Sequence, residues 1–277
     1  MLENKVIISC AIVGGVTKRE HTPYVPILPD EIVQQAVDAY RAGAAVVHLH
    51  VREDDETNTM NFDRFKYITE SIRKQCDVVI NLTSACFNTS IADRVRPFYE
   101  LKPELASLDA GTMNWAYSVV FENSPEFLNV ASQKMIEVGV KPEIEIFDTG
   151  MIDNAKHLMK KGLIEDPPYF QFVLGAPGGM PATAKALLFL LESIPANSNW
   201  SAFGIGGQGH LDVMFAALAL GGNIRVGLED NVYMSKGVLA KSNAEMVERA
   251  VRIVKEFNKL PATPDEAREI LKLKEKK

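Results

Sequence analysis

The sequence of 277 residues is poor in cysteine and histidine. Its three cysteines, Cys10, Cys76 and Cys86, are an odd number without C-x-x-C spacing. Such a set supports neither a disulfide framework nor a thiolate zinc site. Any bound metal must therefore take histidine and carboxylate ligands. A total of five histidines also disfavours a binuclear hydrolase centre, which needs histidines on several strands.

The sequence also lacks an excess of basic residues and a long apolar run. Lys and Arg number 30 against 36 Asp and Glu, which gives a net charge of −6 and no footprint for nucleic-acid binding. No hydrophobic run approaches the roughly 20 residues of a membrane span, and the first residues show no signal-peptide pattern. We expect a cytoplasmic protein that binds neither nucleic acid nor a membrane.

Short β-branched runs alternate with longer amphipathic segments along the whole chain. The predicted strands lie near residues 6–12, 45–49, 78–82, 105–108, 143–147, 170–174, 200–204 and 224–228. The predicted helices lie near residues 30–41, 63–74, 91–100, 125–137, 153–160, 183–192, 211–220 and 243–257. Eight such units predict a TIM (β/α)8 barrel, as a single domain over residues 1–277. A doubly wound sheet is the alternative, since its buried strands have the same composition.

His48 and His50 lie at the end of the second predicted strand, just before a charged segment. Side chains two residues apart in a strand point to the same side, so both imidazoles face one site. Glu229 follows the eighth strand, which neighbours the first strand in a closed barrel, and it completes a His2Glu set typical of catalytic zinc. The alternatives are hydrogen-bonded strand-end histidines and a solvated acid at Glu229.

Arg225 and Asp230 flank the proposed third ligand. Arg225 lies an even number of positions before Glu229, so its side chain is predicted to face the barrel interior. A buried guanidinium needs a carboxylate partner, and Asp230 is the nearest candidate. We predict that Arg225 orients Asp230 as a general base beside the metal.

The segment from Gly204 to Gly209 matches G-x-G-x-x-G between a strand and a helix. A dinucleotide fold is disfavoured because too few residues follow the motif. In a barrel, loops at this place form a phosphate site, so Gly204, Gly206, Gly207 and Gly209 are predicted to bind a phosphate-bearing cosubstrate. Residues 175–180 form a second glycine-rich loop, for which a simple tight turn is the alternative.

The three remaining histidines give weaker signals. His21 and His157 are predicted to be structural or exposed. His210 follows the glycine loop, and the sequence leaves open whether it begins a helix or belongs to the active site.

Four motifs occur in order: His48-Leu49-His50-Val51-Arg52-Glu53-Asp54-Asp55, Asp109-Ala110-Gly111-Thr112-Met113-Asn114, Gly175-Ala176-Pro177-Gly178-Gly179-Met180 and Arg225-Val226-Gly227-Leu228-Glu229-Asp230-Asn231. With these motifs the chain resembles the β-keto acid cleavage enzymes over nearly its whole length. The resemblance implies a zinc-dependent TIM barrel, usually a homotetramer. It also implies an acyltransferase that condenses a 3-oxo acid with acetyl-CoA and releases acetoacetate and a new acyl-CoA.

The resemblance assigns roles to individual residues. His48, His50 and Glu229 would hold zinc, and Asp230 with Arg225 would form the base. The expected substrate contacts are Val16, Thr83, Cys86, Thr112 and Asn114, the last two as donors to a developing negative oxygen.

Two departures from the family pattern concern the substrate. Val16 replaces a glutamate that receives a substrate ammonium in some members, and Thr83-Ser84-Ala85-Cys86 replaces Ser-Thr-Gly-Gly. An unpaired buried ammonium is costly, so we expect a substrate other than 3-keto-5-aminohexanoate. The alternative functions are a metal-dependent aldolase or lyase without CoA, and a non-enzymatic binding protein with a structural metal.

Overall fold

A computed structural model describes residues 2–274 and contains a closed barrel of eight parallel strands. The barrel strands are β1 (Ile8–Ala11), β2 (Val46–Leu49), β3 (Val79–Leu82), β4 (Leu105–Asp109), β5 (Lys141–Ile146), β6 (Tyr169–Leu174), β7 (Asn199–Gly204) and β8 (Asn223–Val226). Strand β8 pairs with β1, with Arg225 opposite Ser9, and this pairing closes the sheet. The predicted TIM barrel is confirmed, and closure excludes the doubly wound alternative.

Helices follow the strands and cover the outside of the barrel. They are α1 (Pro29–Ala42), α2 (Phe62–Arg73), α3 (Ile91–Leu101), α4 (Pro125–Val138), α5 (Thr149–Lys160), α6 (Ala184–Ser193), α7 (Gly207–Ala219), α8 (Asn243–Glu256) and α9 (Pro264–Leu271). Local sequence sets their ends: the Ser124 hydroxyl accepts the Phe127 amide at the start of α4. Gly139 ends that helix with a φ of 74°, in the left-handed region that glycine adopts freely.

Short elements decorate both ends of the barrel. Three hairpins pair Val51–Arg52 with Asn58–Thr59, Met113–Trp115 with Val119–Phe121, and Tyr233–Ser235 with Val238–Leu239. A 3-10 turn covers Leu2–Asn4, and Lys5–Val6 pairs with Leu260–Pro261. The sequence analysis missed these elements and α9. Among the described residues, no helix combines the length and apolar character needed to cross a bilayer.

The amino-terminal end of the barrel is closed by apolar side chains. Helix α9 contributes Ala267 and Leu271, which are fully buried against interior residues such as Val46, Val79 and Leu105. Burial of these groups stabilises the fold. The opposite end, where the strands finish, is where the cavity lies.

Above this apolar floor, the barrel interior is polar. A layer of fully buried residues with polar side chains comprises Ser9, Asn81, Glu143, Tyr169, Gln171, Ser201 and Arg225. Bulky branched residues fill this position in most TIM barrels. Burying so many polar groups is unfavourable unless they are paired. This layer therefore indicates a functional site at the carboxyl end of the barrel, where the cavity lies.

Candidate functional site

Three potential metal ligands converge at the carboxyl end of the barrel. The Glu229 Oε1 atom lies 3.7 Å from His48 Nε2 and 3.6 Å from His50 Nε2. One ligand atom from each side chain fits within a group whose members lie within 4.8 Å of one another. The predicted convergence of these three residues is confirmed.

Strand order explains why residues far apart in sequence meet. Strand β1 lies between β8 and β2, so Glu229, just after β8, faces His48 on β2 across the end of β1. Gly14 follows β1 at this point, and a Cβ there would lie 2.5 Å from Glu229 Cγ. Glycine at position 14 therefore makes room for the glutamate.

The protonation states of His48 and Glu229 suit metal binding. Burial lowers the pKa of His48 to about 3, which keeps the ring neutral with a free lone pair. Burial opposes ionisation of Glu229, but the Arg225 guanidinium holds its pKa well below the usual range. The Glu229 Oε2 atom is buried and has no hydrogen-bond partner among residues 2–274. A neutral imidazole such as His48 and an ionised carboxylate such as Glu229 are the forms that bind a divalent cation.

Arg225 holds the neighbouring carboxylates together. Its Nε donates to Asp230 Oδ2 and its Nη2 donates to Asp230 Oδ1, each at 2.9 Å. The Nη2 atom also donates to Glu229 at 2.6 Å, and Nη1 donates to Glu145 at 3.1 Å. Phe203 packs against the guanidinium with its ring centre 4.3 Å from Cζ. The predicted pairing of Arg225 with Asp230 is confirmed.

Asp230 has the properties of a base that works near neutral pH. Burial raises the pKa of Asp230 to about 6, although the Arg225 guanidinium opposes the shift. A carboxylate tuned in this way is ionised at pH 7 and accepts a proton more readily than an ordinary aspartate.

A cavity of about 630 Å³ opens above these groups. Its wall includes an aromatic cluster of Phe87, Trp115, Phe121 and Phe147, whose rings contact one another edge to face. The cavity is large enough for a small acid together with the reactive end of a cosubstrate.

Three of the five predicted substrate residues line the cavity, and two do not. Val16, Thr83 and Cys86 line the cavity. Thr112 and Asn114 do not line it, because the chain leaves the barrel after β4 and enters an outer hairpin. The Thr112 hydroxyl accepts the amide of Asn123 at 2.9 Å, and both Thr112 and Asn114 are exposed. The expected contact of these two residues with substrate lacks support.

Ser107 and Asp109, both on β4, do line the cavity, and the Ser107 hydroxyl accepts the amide of Ser84 at 3.3 Å. Sequence analysis missed both as site residues, although their spacing of two on one strand was a usable signal.

The glycine loop divides into two parts. A Cβ on Gly204 would lie 2.3 Å from the Gly209 oxygen, and a Cβ on Gly209 would lie 2.7 Å from Ala182, so these two glycines permit close packing. Gly206 lines the cavity, and Gly207 begins α7 with open space around it. Gly206 and the first amides of α7 are thus the part of the loop available to a phosphate.

The remaining histidines lie outside the ligand cluster. His210 is buried and its Nδ1 contacts the Gly204 oxygen at 3.2 Å, so it packs beneath the loop. His157 is exposed on α5, as expected. His21 is exposed, also as expected, yet it lies with Glu20 on the cavity wall. Nothing in the sequence indicated that His21 lies on the cavity wall.

The family model for beta-keto acid cleavage enzymes matches residues 5–273. The chain belongs to this family. A "3-keto-5-aminohexanoate cleavage enzyme" of Fusobacterium nucleatum is 47% identical over 272 residues, which cover 98% of each chain. A "3-dehydrocarnitine:acetyl-CoA trimethylamine transferase" of Rhizobium meliloti is 38% identical over 98% of each chain.

Comparison with solved structures shows that this beta-keto acid cleavage enzyme shares its fold with ObcA. The chain matches the apo structure of ObcA with a TM-score of 0.79 and 22% identity, over 91% of this chain and 66% of ObcA. This likeness shows a shared barrel.

Proposed function

We propose that the protein is a zinc-dependent enzyme that condenses a 3-oxo acid with acetyl-CoA and yields acetoacetate and a new acyl-CoA. The observation that carries this proposal is the ligand trio His48, His50 and Glu229 beside the Arg225–Asp230 pair in one cavity. Family membership and relatives whose names specify acetyl-CoA support the choice of cosubstrate.

The three ligands fit zinc. In a tetrahedral site with bonds of about 2.0–2.1 Å, donor atoms lie about 3.3 Å apart. The separations of 3.6 and 3.7 Å from Glu229 to the two histidines are close to this spacing. Among the described residues the cluster contains these three side chains, which matches the open coordination of catalytic zinc. When bound, the ion would act as a Lewis acid on the 3-oxo acid.

Asp230 is assigned the role of base. It removes a proton from C2 of the 3-oxo acid, while Arg225 fixes both carboxylate oxygens in position. The C2 carbanion attacks the thioester carbonyl and displaces CoA. The CoA thiolate then attacks the original keto carbon, the C2–C3 bond breaks, and the resulting carbanion takes a proton back from Asp230 to give acetoacetate.

Other cavity residues are assigned to binding. Thr83, Ser107 and Cys86 line the cavity, with Val16 at its exposed edge. Gly206 and the start of α7 are assigned to the phosphates of acetyl-CoA.

We further infer that the protein is a homo-oligomer and that it contains four subunits. Leu188, Phe189 and Phe215 expose 43%, 54% and 45% of their surface on α6 and α7. Large apolar side chains grouped on neighbouring helices favour a subunit contact. Light scattering after gel filtration measures the subunit count.

The decisive experiment supplies the zinc-loaded protein with a panel of 3-oxo acids and acetyl-CoA and follows acetoacetate. Acetoacetate formation that requires acetyl-CoA supports the proposal. Cleavage without acetyl-CoA would identify an aldolase or lyase instead. Tight binding of the acids without any turnover would favour a binding protein.

A further inference from the structure

Arg52 is a buried cation that the proposed chemistry does not use. It lies two positions after the ligand His50 and exposes 1% of its surface. Among the residues that the structure describes, those that line the cavity do not include Arg52, so it lies behind the site. A guanidinium is costly to bury unless hydrogen-bond acceptors meet its donors. The acceptors of Arg52 therefore indicate what the residue is for.

The hydrogen bonds of Arg52 end on backbone oxygens of two separate segments. Its Nη1 atom donates to the Gly14 oxygen at 2.6 Å and to the Thr17 oxygen at 3.0 Å. Its Nε atom donates to the Glu56 oxygen at 2.8 Å, and Nη2 donates to the same oxygen. Residues 14–17 follow β1, whereas Glu56 belongs to the turn of the hairpin after β2. One planar fork thus joins two neighbouring loops.

The backbone at Glu56 shows that this junction is under strain. Glu56 has a φ of 70°, a left-handed conformation that residues other than glycine adopt rarely. Such a conformation persists where the surroundings hold it, and Arg52 supplies two hydrogen bonds to this residue. The Glu56 carboxylate also accepts the Arg19 amide at 3.1 Å, which adds a second link to the loop after β1.

Residues 14–17 form a wall of the proposed metal site. All four line the cavity. Gly14 lies against the Glu229 side chain, where a Cβ would be 2.5 Å from Cγ. The Thr17 hydroxyl donates to the Glu229 backbone oxygen at 3.4 Å. The segment therefore contacts both the side chain and the backbone of Glu229, and its position limits where this carboxylate can lie.

We propose that Arg52 is a positioning residue that holds residues 14–17 against Glu229 and thereby sets the spacing between Glu229 and His50. His50 and Arg52 share one short segment, so the guanidinium connects the histidine side of the site to the wall behind the third ligand. The consequence for metal binding rests on the proposed function, whereas the position of the loop does not.

Zinc affinity in a chelator competition tests the positioning role. Arg52→Met keeps an unbranched side chain without donors, and we expect zinc affinity to fall by about 10- to 100-fold, the range for lost outer-shell partners. Arg52→Lys keeps the charge but cannot reproduce the fork, so it should give an intermediate loss. The matched control is Arg73→Met on the exposed side of α2, because Arg73 also donates to two backbone oxygens, those of Leu101 and Lys102. This control should bind zinc like wild type.

Hydrogen exchange of the metal-free protein tests the position of the loop without zinc or turnover. We expect faster exchange of residues 14–22 in Arg52→Met, including the Arg19 amide that contacts Glu56, and wild-type exchange in the barrel strands. A folded Arg52→Met with wild-type zinc affinity overturns the proposal, whether or not the loop exchanges faster. If Arg52→Met does not fold, Arg52→Lys decides by the same two measurements. A wild type that binds no zinc would instead remove the proposed function.

Gly14→Ala tests whether Arg52 acts through this loop. The added methyl group meets Glu229, so this variant should also lower zinc affinity. In the Arg52→Lys background the loop is free to move away, and the same methyl group should then have a smaller effect. We expect the double variant to lose less affinity than the product of the two single losses. Losses that multiply would show that Arg52 acts by another route, which contradicts the proposal.

Discussion

Arg225 donates hydrogen bonds to both carboxylate oxygens of Asp230, from Nε and from Nη2, each at 2.9 Å. This bidentate geometry fixes the plane of the carboxylate and leaves it facing the cavity. The same guanidinium contacts Glu229 at 2.6 Å. One cation thus connects the proposed base to a proposed metal ligand, and their effects must be separated by variants that change one at a time.

Asp230→Asn removes the base and preserves shape. We expect kcat to fall by about 10² to 10⁴-fold, because an amide cannot accept the C2 proton. Zinc content and acetyl-CoA binding should persist, as measured by elemental analysis and calorimetry. Asp153→Asn on the exposed face of α5 is the control. Near-normal turnover of Asp230→Asn would assign the base elsewhere.

Removal of both histidine ligands should abolish zinc binding. The double variant His48→Ala, His50→Ala is expected to contain less than stoichiometric zinc by elemental analysis, since one carboxylate cannot hold the ion. Its circular dichroism should match wild type, because the strands and helices form the stable core. His157→Ala, which changes an exposed histidine, should keep one zinc per subunit. Undiminished zinc in the double variant would remove the basis of the metal assignment.

Asn81 should support the metal through His48. The two residues are paired across β2 and β3, and the Asn81 amide is fixed by a 2.7 Å hydrogen bond to Glu143. His48 Nδ1 and Asn81 Oδ1 are both buried without a partner in the described structure, which suits a hydrogen bond between them once Nε2 binds a metal. We expect Asn81→Leu to weaken zinc affinity by about 10- to 100-fold in a chelator competition. Zinc affinity equal to wild type would show that His48 is oriented by other contacts.

Val16 should select against a charged substrate tail. It lies half exposed on the cavity wall and offers no carboxylate to an ammonium. Val16→Glu should raise kcat/KM for 3-keto-5-aminohexanoate relative to 3-oxohexanoate, since the new carboxylate pairs with the ammonium. Val16→Gln, with the same size and no charge, is the control. A wild-type preference for the amino substrate would transfer this role to another residue.

The barrel could be predicted from the sequence because the residue patterns of its strands and helices lie within short segments. The period of two places His48 and His50 on one face, and a closed eight-stranded order then brings Glu229 to them. The pairing of Asp109 with Glu145 was not predictable, since it depends on the register between β4 and β5, which no local pattern encodes. Thr112 looked equivalent to other strand-end hydroxyls, but the hairpin after β4 carries it away from the cavity. Helix α9 was missed although Thr263 and Glu266 form a capping box.

The closure of the amino-terminal end of the barrel by α9 has a kinetic consequence. Because Ala267 and Leu271 close one end of the barrel, both reactants must enter and both products must leave by the same mouth. His48 lies at the buried base of this cavity, whereas Val16, Glu20 and Tyr233 line its exposed rim. A bulky cosubstrate resting on the rim would block access to the base. We therefore expect compulsory-order kinetics, in which the 3-oxo acid binds before acetyl-CoA and acyl-CoA departs before acetoacetate.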